Sequence, residues 1–588
     1  MNKRKYKNLI YKTRPLTDLK DMVRQSVELF GPKDAYLVKD RPGGEYRGIS
    51  YDDFGQDIDC LGTAFLARGL KDARIAVVGE NSYKWVVSYL AVTNGVGVIV
   101  PLDKELPTNE MAGLIERADV QAIVCSAKLE KKLHEMELSA PSLRYIVRLA
   151  APETAGEDEK ENAGPEILYF DELVSEGKKR IKEGDHSFID AKIDPYALCS
   201  LLFTSGTTGT AKGVMLSHSN IVQNVVNMSK YVDIGIDGIG LSVLPMHHTF
   251  EMTCHIMTSI YQGLTVCICE GLKYIMKNMA EAKCTHMLGV PLIFEQMHKK
   301  IMKQADQKGQ GAKLRKGIAL SHRHKLYNHP EITRRMFSAL HSATGGRMRL
   351  FIAGGAAIDP SVIDDFEAMG ITMFQGYGMT ENAPIIAVNR DRCSKSAAAG
   401  FPMPGTEVRI VNPDENGIGE VICRGPSVMM GYYNNPEETA EVLKDGWLYT
   451  GDYGRMDDEG YLYICGRKKN VIVTKNGKNV FPEDVEYYLL KSDYIEEVLV
   501  MGVEEPKTGD TVIKASIYPN YSLIESEMGS VSEEELQKFF KGIVDHVNEE
   551  MPLYKRVKRI TIRSTEFEKT TTRKIKRFAK GNITEERR

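Results

Sequence analysis

Five hydroxyl side chains and two glycines crowd into Thr204-Ser205-Gly206-Thr207-Thr208-Gly209-Thr210, and Lys212 follows after one alanine. Glycine lets a backbone turn with positive φ and come close to an anion. Hydroxyls and exposed N–H groups donate hydrogen bonds, and a lysine adds a point charge. The chemistry indicated is phosphate binding. The stretch is not the P-loop of kinases and GTPases, which requires GxxxxGK followed by Ser or Thr. Ala211 precedes Lys212, Gly213 follows it, and VMLSHSN continues the chain. Other reactive side chains lie in LPMHHTFEM (244–252), QGYGMTENAP (375–384), GWLYTGDYG (446–454) and FEKTTTRKIKR (567–577). Taken alone, three of them also have a plainer reading: a core or surface histidine, an aspartate in a Gly-Asp turn, a solvated basic tail. No HExxH spacing accompanies the histidines, and none of the ten cysteines is spaced CxxC, which leaves zinc sites of those kinds without support. Cys267 and Cys269 alternate along an expected strand and read as buried.

Elements must hold these residues in place. At roughly 150 residues per domain, 588 residues allow about four compact units or fewer large ones. A hydrophobic share of 42% with 27% charged residues is globular and excludes wholesale disorder. No apolar run approaches the roughly 18 residues that span a bilayer. The basic start MNKRKYKNLIYK has no apolar core and cleavage site after it, so a cytoplasmic protein is expected. A net charge of -3 predicts no general attraction to nucleic acid.

Residues 73–102 read strand, helix, strand. ARIAVVGE is a buried strand. NSYKWVVSYLAVTNG is a helix with Trp85, Tyr89 and Val92 at helical spacing and Gly95 stopping it. VGVIVPL is a second strand ended by Pro101. Such βαβ units build parallel sheets, and further strands are expected in ADVQAIVCS, TVCICE, THMLGVP and MRLFIAGGAAI. Surface loops are expected over the acidic 152–166 and over 303–317. From about 403 short strands alternate with Gly, Asn and Asp turns, and after them come helix, strands and helix. The fold class predicted is α/β: a large N-terminal domain of α/β subdomains plus a β-rich subdomain over 1–468, and a small C-terminal α+β domain over 469–588.

LFTSGTTGTAKGVMLSH (202–218) resembles the signature of the adenylate-forming superfamily of acyl-CoA synthetases, beetle luciferases and nonribosomal adenylation domains, with Ala211 in the place of the usual proline. Further motifs follow in the family's order from about residue 50 to 577. The resemblance implies that Thr204, Ser205, Gly206, Thr207, Thr208, Gly209 and Lys212 hold the β- and γ-phosphates of ATP. It implies that His248 lies near the substrate carboxylate and α-phosphate. Gly355, Ala356 and Ala357 of RLFIAGGAAID would border adenine. In the YGxTE motif, Gly376, Tyr377 and Gly378 would carry a ring stacked on adenine, Thr380 would bond phosphate and Glu381 would hold Mg²⁺. Asp452 and Arg467 match ribose-binding positions, Lys469 a hinge, and Gly477 a loop along the pantetheine passage. Lys574 matches the catalytic lysine of the K-I-x-R frame, with Arg573 where glycine is usual and Glu568 where proline is usual; Lys569 and Lys576 are near neighbours.

The implied activity is ATP-dependent activation of a carboxylic acid to acyl-AMP, then transfer to CoA, with a mobile small domain turning about Lys469. Lys574, Thr380, Glu381 and His248 would be its catalytic residues. GVPLIFEQMHKKI (289–301), and a longer helical stretch before RLFIAGG, resemble the long-chain fatty acid-CoA ligases and imply a medium- to long-chain fatty acid. The chain ends soon after Lys574, which predicts a free-standing ligase. Residues 555–588 carry 13 Lys/Arg against 4 Asp/Glu. That basic excess could meet the phosphates of CoA or an anionic membrane surface, or be plain solvated tail. A homodimer is left open. The alternatives are an acyl-carrier-protein or other acid–thiol ligase of the superfamily, and a nucleotide sensor without catalysis.

Overall fold

A computed structural model describes residues 10–134, 140–150, 164–204, 211–390, 393–474, 478–505, 509–570 and 575–583. All but 164–166 of the expected acidic loop lies outside them. The architecture is the predicted α/β class, with a large N-terminal and a smaller C-terminal part. By packing, Met1–Val408 with Cys423–Leu448 form one compact unit, and Arg409–Ile422 with Tyr449–Arg588 form the other. This division concerns packing; the turning point expected at Lys469 concerns motion.

The first unit is built on two large sheets. In one, eight strands run in the order Gly431–Tyr432, Lys212–Ser217, Leu198–Thr204, Gly97–Leu102, Ala73–Val78, Ala122–Cys125, Tyr145–Arg148, Glu166–Tyr169. Ala73–Val78 pairs in parallel with both neighbours, the βαβ pattern read from the sequence. Two details differ from expectation. Pro101 lies inside its strand, opposite Val77, and does not end it. The connecting helix is α-helical only over Tyr83–Ala91, capped by Ser82 on the Trp85 N–H, and passes through a π turn over Val92–Val96. Gly95 takes φ 155 there, a value few other residues adopt.

In the other sheet, nine strands include Ile239–Ser242, His286–Gly289, Leu350–Ala353, Thr372–Gly378 and Ile385–Val388. Cys267 and Cys269 are both buried, at and just beyond the end of its strand Thr265–Ile268. One continuous core unites residues of both sheets (Tyr36 and Val266; Ile75, Val77 and Ile99) with helix residues Phe54, Phe65, Trp85, Ile221 and Val225. The loop expected over 303–317 is instead the junction of two helices, Pro291–Gln307 and Gly311–His324. Its Gln, Ala, Lys, Leu and Arg residues favour helix. Only Gly309, at φ 67, breaks it, and Arg315 clips the corner to Asp306 at 2.7 Å.

The second unit holds a three-stranded sheet of Ile495–Glu504, Thr511–Pro519 and Val557–Ile562. Phe540 and Val544 of the helix Glu533–Glu549 share its core with Val498, Val500 and Ile513. The expected β-rich stretch is a five-stranded sheet of Glu407–Val411, Gly419–Arg424, Leu443–Lys444, Trp447–Met456 and Leu462–Arg467. Among the described residues no helix is long and apolar enough to cross a membrane.

Candidate active site

Two paired strands flank the phosphate stretch. Leu198–Thr204 and Lys212–Ser217 pair antiparallel, with Thr204 opposite Lys212. Ser205, Gly206, Thr207, Thr208 and Gly209 lie outside the described residues. A third strand, Gly431–Tyr432, pairs with the hairpin and sets Tyr432 opposite Val214. The helix Pro436–Val442 follows it, capped by the Asn435 side chain. This run of chain delivers Glu438 to Lys212, whose Nζ sits 3.0 Å from Oε1 and 5.1 Å from the centroid of the Tyr432 ring. A cavity of about 260 Å³ opens there, lined among others by Arg117, Lys212, Tyr432, Tyr433, Asn435 and Glu438.

Glu381 comes from the neighbouring sheet. The strand Thr372–Gly378 turns back into Ile385–Val388, with Tyr377 opposite Ala387, and Thr380–Asn382 makes a short 3-10 turn between them. The helix His218–Tyr231, started by a capping box of Ser217 and Asn220, carries the clamp on this turn. Its Asn224 amide donates to the carbonyls of Asn382 and Ile385 at 3.2 and 3.1 Å. The Tyr432 hydroxyl donates to Glu381 Oε1 at 2.9 Å. One tyrosine therefore bridges the lysine of one motif and the carboxylate of another. Among the described residues no group of three or more His, Cys, Asp or Glu could hold a metal ion. A single oriented carboxylate suits Mg²⁺, which takes oxygen ligands, keeps waters and is commonly completed by substrate phosphates.

Strand Leu350–Ala353 lies beside Thr372–Gly378, with Ala353 opposite Gln375. The turn Gly354–Ala357 and the residues after Gln375 thus lie beyond the carboxyl end of the same parallel pair, the usual ligand edge of α/β sheets, while Gly376–Gly378 stay paired with Ile385–Val388. A Cβ at Gly354 would come within 2.7 Å of the Phe250 ring, so that position must be glycine or displace the ring. Gly355, at φ 83, and Ala356 and Ala357 are exposed and leave the edge open. Phe250 belongs to the segment of His248, whose carbonyl accepts from the Glu251 and Met252 N–H groups at 3.1 and 2.9 Å. The His247 ring lies 4.1 Å from the His248 ring and pairs with Asp103 at 3.4 Å.

In the second unit the two expected ribose residues are cross-strand neighbours. Trp447–Met456 pairs with Leu462–Arg467 so that Asp452 faces Arg467, and Arg467 Nε meets Asp452 Oδ1 at 2.9 Å. Asp452 is buried, and its N–H donates to Thr450 Oγ1 at 3.1 Å. Lys469 is exposed in the turn Lys468–Asn470, held on one side by Lys468 to Glu420 and on the other by Asn470 to Glu483, each at 2.7 Å. Gly477 and Lys574 lie outside the described residues. Beside Lys574, Lys569 bridges to Ile575, and Arg577 donates to the Val500 carbonyl at 3.1 Å and to the Glu486 carboxylate. Sequence reasoning missed Tyr432, Glu438, Asn224 and Arg577. No local signal in GYYNNPEET marks the first two; strand pairing alone brings them to Lys212.

Two α/β sheets that share one core, with the strand of Lys212 joined through Tyr432 to a carboxylate-bearing turn, are the architecture of the adenylate-forming superfamily. The chain belongs to the AMP-binding enzyme family: that family's model matches residues 24–433, and the model of the AMP-binding enzyme C-terminal domain matches residues 469–587. It is similar to fatty acyl-CoA synthetase B of Dictyostelium discoideum, 27% identical over 82% of this chain and 75% of that one. It is also similar to the chloroplastic long-chain-fatty-acid acyl-carrier-protein ligase AEE15 of Arabidopsis thaliana, 26% identical over 84% of this chain and 76% of the relative. A crystal structure of the anthranilate CoA ligase AuaEII with anthranoyl-AMP shares the fold, with a TM-score of 0.73, 19% identity and 98% of each chain covered.

Proposed function

We propose that this chain is an AMP-forming acid–thiol ligase that converts a medium- to long-chain fatty acid into its CoA thioester. The observation that supports it most is the meeting of Lys212 and Glu381 around Tyr432, next to the open edge at Gly354–Ala357. In the first step a carboxylate oxygen of the acid attacks the α-phosphorus of ATP, and the bond to pyrophosphate breaks. Charge gathers on phosphoryl oxygens, so the protein's task is to position and neutralise. Lys212 holds the departing pyrophosphate, Thr380 bonds the phosphoryl oxygens, and Lys574 meets the α-phosphate. Glu381 would hold Mg²⁺, which when bound adds positive charge across the phosphates. His248 borders the reacting carboxylate. Asp452 accepts from the ribose hydroxyls while Arg467 fixes its orientation. In the second step a thiol sulfur attacks the acyl carbon, the carbon–oxygen bond to AMP breaks, and the thiol proton passes to solvent. The C-terminal part turns about Lys469 between the steps and offers the Gly477 loop to the thiol, a domain form of gating.

The names of the relatives and the helices over 291–343 support a fatty acid as substrate. An acyl-carrier protein as thiol acceptor is the second reading, favoured by the Arabidopsis relative. The basic excess over 555–588 would serve the phosphates of CoA or a lipid surface. ATP–pyrophosphate exchange across acids from acetate to oleate tests the reading, followed by thioester formation with CoA. Exchange that rises with chain length and yields acyl-CoA is expected; nucleotide binding without exchange for any acid refutes it. Asp452→Asn is expected to raise KM for ATP roughly 30-fold, the worth of about 2 kcal/mol of charge-assisted hydrogen bonding. Its kcat should change little, and a KM equal to wild type removes Asp452 from the ribose.

A further inference from the structure

The side chains that hold Lys212 and Glu381 form a network with its own logic. Lys212 is mostly buried, and its ammonium is neutralised by Glu438 Oε1 at 3.0 Å. Glu438 Oε2 is fixed by the Asn435 amide at 2.8 Å, and Asn435 Oδ1 accepts the Glu438 N–H at 3.1 Å. The Tyr432 N–H donates to Thr439 Oγ1 at 2.9 Å, and the Met429 N–H donates to the Glu381 carbonyl at 2.9 Å. One short segment, 429–439, thus grips both the lysine and the glutamate through backbone and side chain.

From this geometry we propose that Glu438 is an exchangeable counter-ion of the phosphate lysine, and that Tyr432 is a positioning residue for Glu381. The proposal rests on the reading of Lys212 as a phosphate-binding residue and Glu381 as the magnesium-holding residue. A mostly buried ammonium needs an anion nearby, and Glu438 supplies one until a phosphate takes its place. The exchange sets a threshold. A single weak anion gains little by displacing a carboxylate already held by Asn435. A polyphosphate brings several charges and displaces it readily. Glu438 would therefore select for polyphosphate over monophosphate. Tyr432 does a different job on the same ring. Its face lies near Lys212 and its hydroxyl engages one of the two oxygens of Glu381, which fixes the plane of that carboxylate. Partners that orient a metal-binding group typically change metal affinity about 10- to 100-fold when removed.

The test is equilibrium binding to the full chain, read by displacement of a fluorescent ATP analogue, with thermal melting as the control for folding. Without Mg²⁺, Glu438→Gln is expected to bind inorganic pyrophosphate about fivefold more tightly than wild type and to narrow the preference for pyrophosphate over inorganic phosphate. Tyr432→Phe keeps the ring and loses the hydroxyl. Its half-saturating Mg²⁺ concentration for ATP binding is expected to rise about tenfold, with Mg²⁺-free ATP binding unchanged. Pyrophosphate affinity equal to or weaker than wild type in Glu438→Gln overturns the counter-ion role. Should that variant melt early, Glu438→Ala must show the same gain, and its absence overturns the role too. An unchanged Mg²⁺ dependence in Tyr432→Phe, or equal weakening of every ligand, reduces Tyr432 to a packing residue and overturns its part. A wild-type chain that binds neither ATP nor pyrophosphate refutes the functional reading itself, a result distinct from the others.

Discussion

Lys574→Ala is expected to slow acyl-AMP formation about 10²- to 10³-fold while leaving the transfer from supplied acyl-AMP to CoA within a few-fold of wild type. The asymmetry follows from the chemistry. Negative charge builds on the α-phosphoryl oxygens as the carboxylate attacks and pyrophosphate departs, and a lysine there stabilises that moment. In the transfer step charge develops on the acyl oxygen and then on the departing AMP, after the C-terminal part has turned about Lys469 and carried Lys574 away. The variant should also fold, because anchors other than Lys574 hold its surroundings. Lys569 bridges to Ile575, and Arg577 is tied to the Val500 carbonyl and the Glu486 carboxylate. Pyrophosphate exchange and single-turnover thioester formation, measured on one preparation, decide it. Equal loss in both half-reactions would remove Lys574 from the adenylation step and leave Lys569 or Lys576 to be tried.

What could be read from the sequence depended on how local the cause was. The strand–helix–strand rhythm over 73–102 is a local hydrophobic pattern, and the sheet order around Ala73–Val78 follows from it. Thr204 and Lys212 are close in sequence, and antiparallel pairing of the strands that carry them sets the two opposite each other. The resemblance implies one ligand for Asp452 and Arg467, and strand register makes them neighbours. Other features depend on distant partners. Nothing around Tyr432 announces that it will lie opposite Val214 and donate to Glu381. The polar, glycine-bearing run at 303–317 has the composition of a loop, but the same composition suits two helices meeting at Gly309, where Arg315 and Asp306 close the corner. Pro101 suggests a strand end, since a proline has no N–H to give a ladder, yet the strand continues to Leu102.

Lys212→Met should cost more than the loss of one cation. Methionine keeps much of the lysine stem, and its thioether can rest on the Tyr432 ring, so folding should survive. The phosphates would lose a charge-assisted contact worth about 1.5–3 kcal/mol. They would also face Glu438, whose carboxylate stays in the cavity fixed by Asn435 with its cation gone. The two penalties act together, and ATP affinity is expected to fall roughly 100- to 1,000-fold. Adding Glu438→Gln to Lys212→Met removes only the second penalty. The double variant should therefore regain about tenfold in ATP binding over Lys212→Met, although it carries one more substitution in the cavity. A purely structural Glu438 predicts the reverse: two lesions in one cavity, each weakening the site. The sign of that change, measured by ATP titration at one ionic strength, separates an electrostatic Glu438 from a scaffold. A double variant that binds ATP no better than Lys212→Met would leave the lysine acting alone.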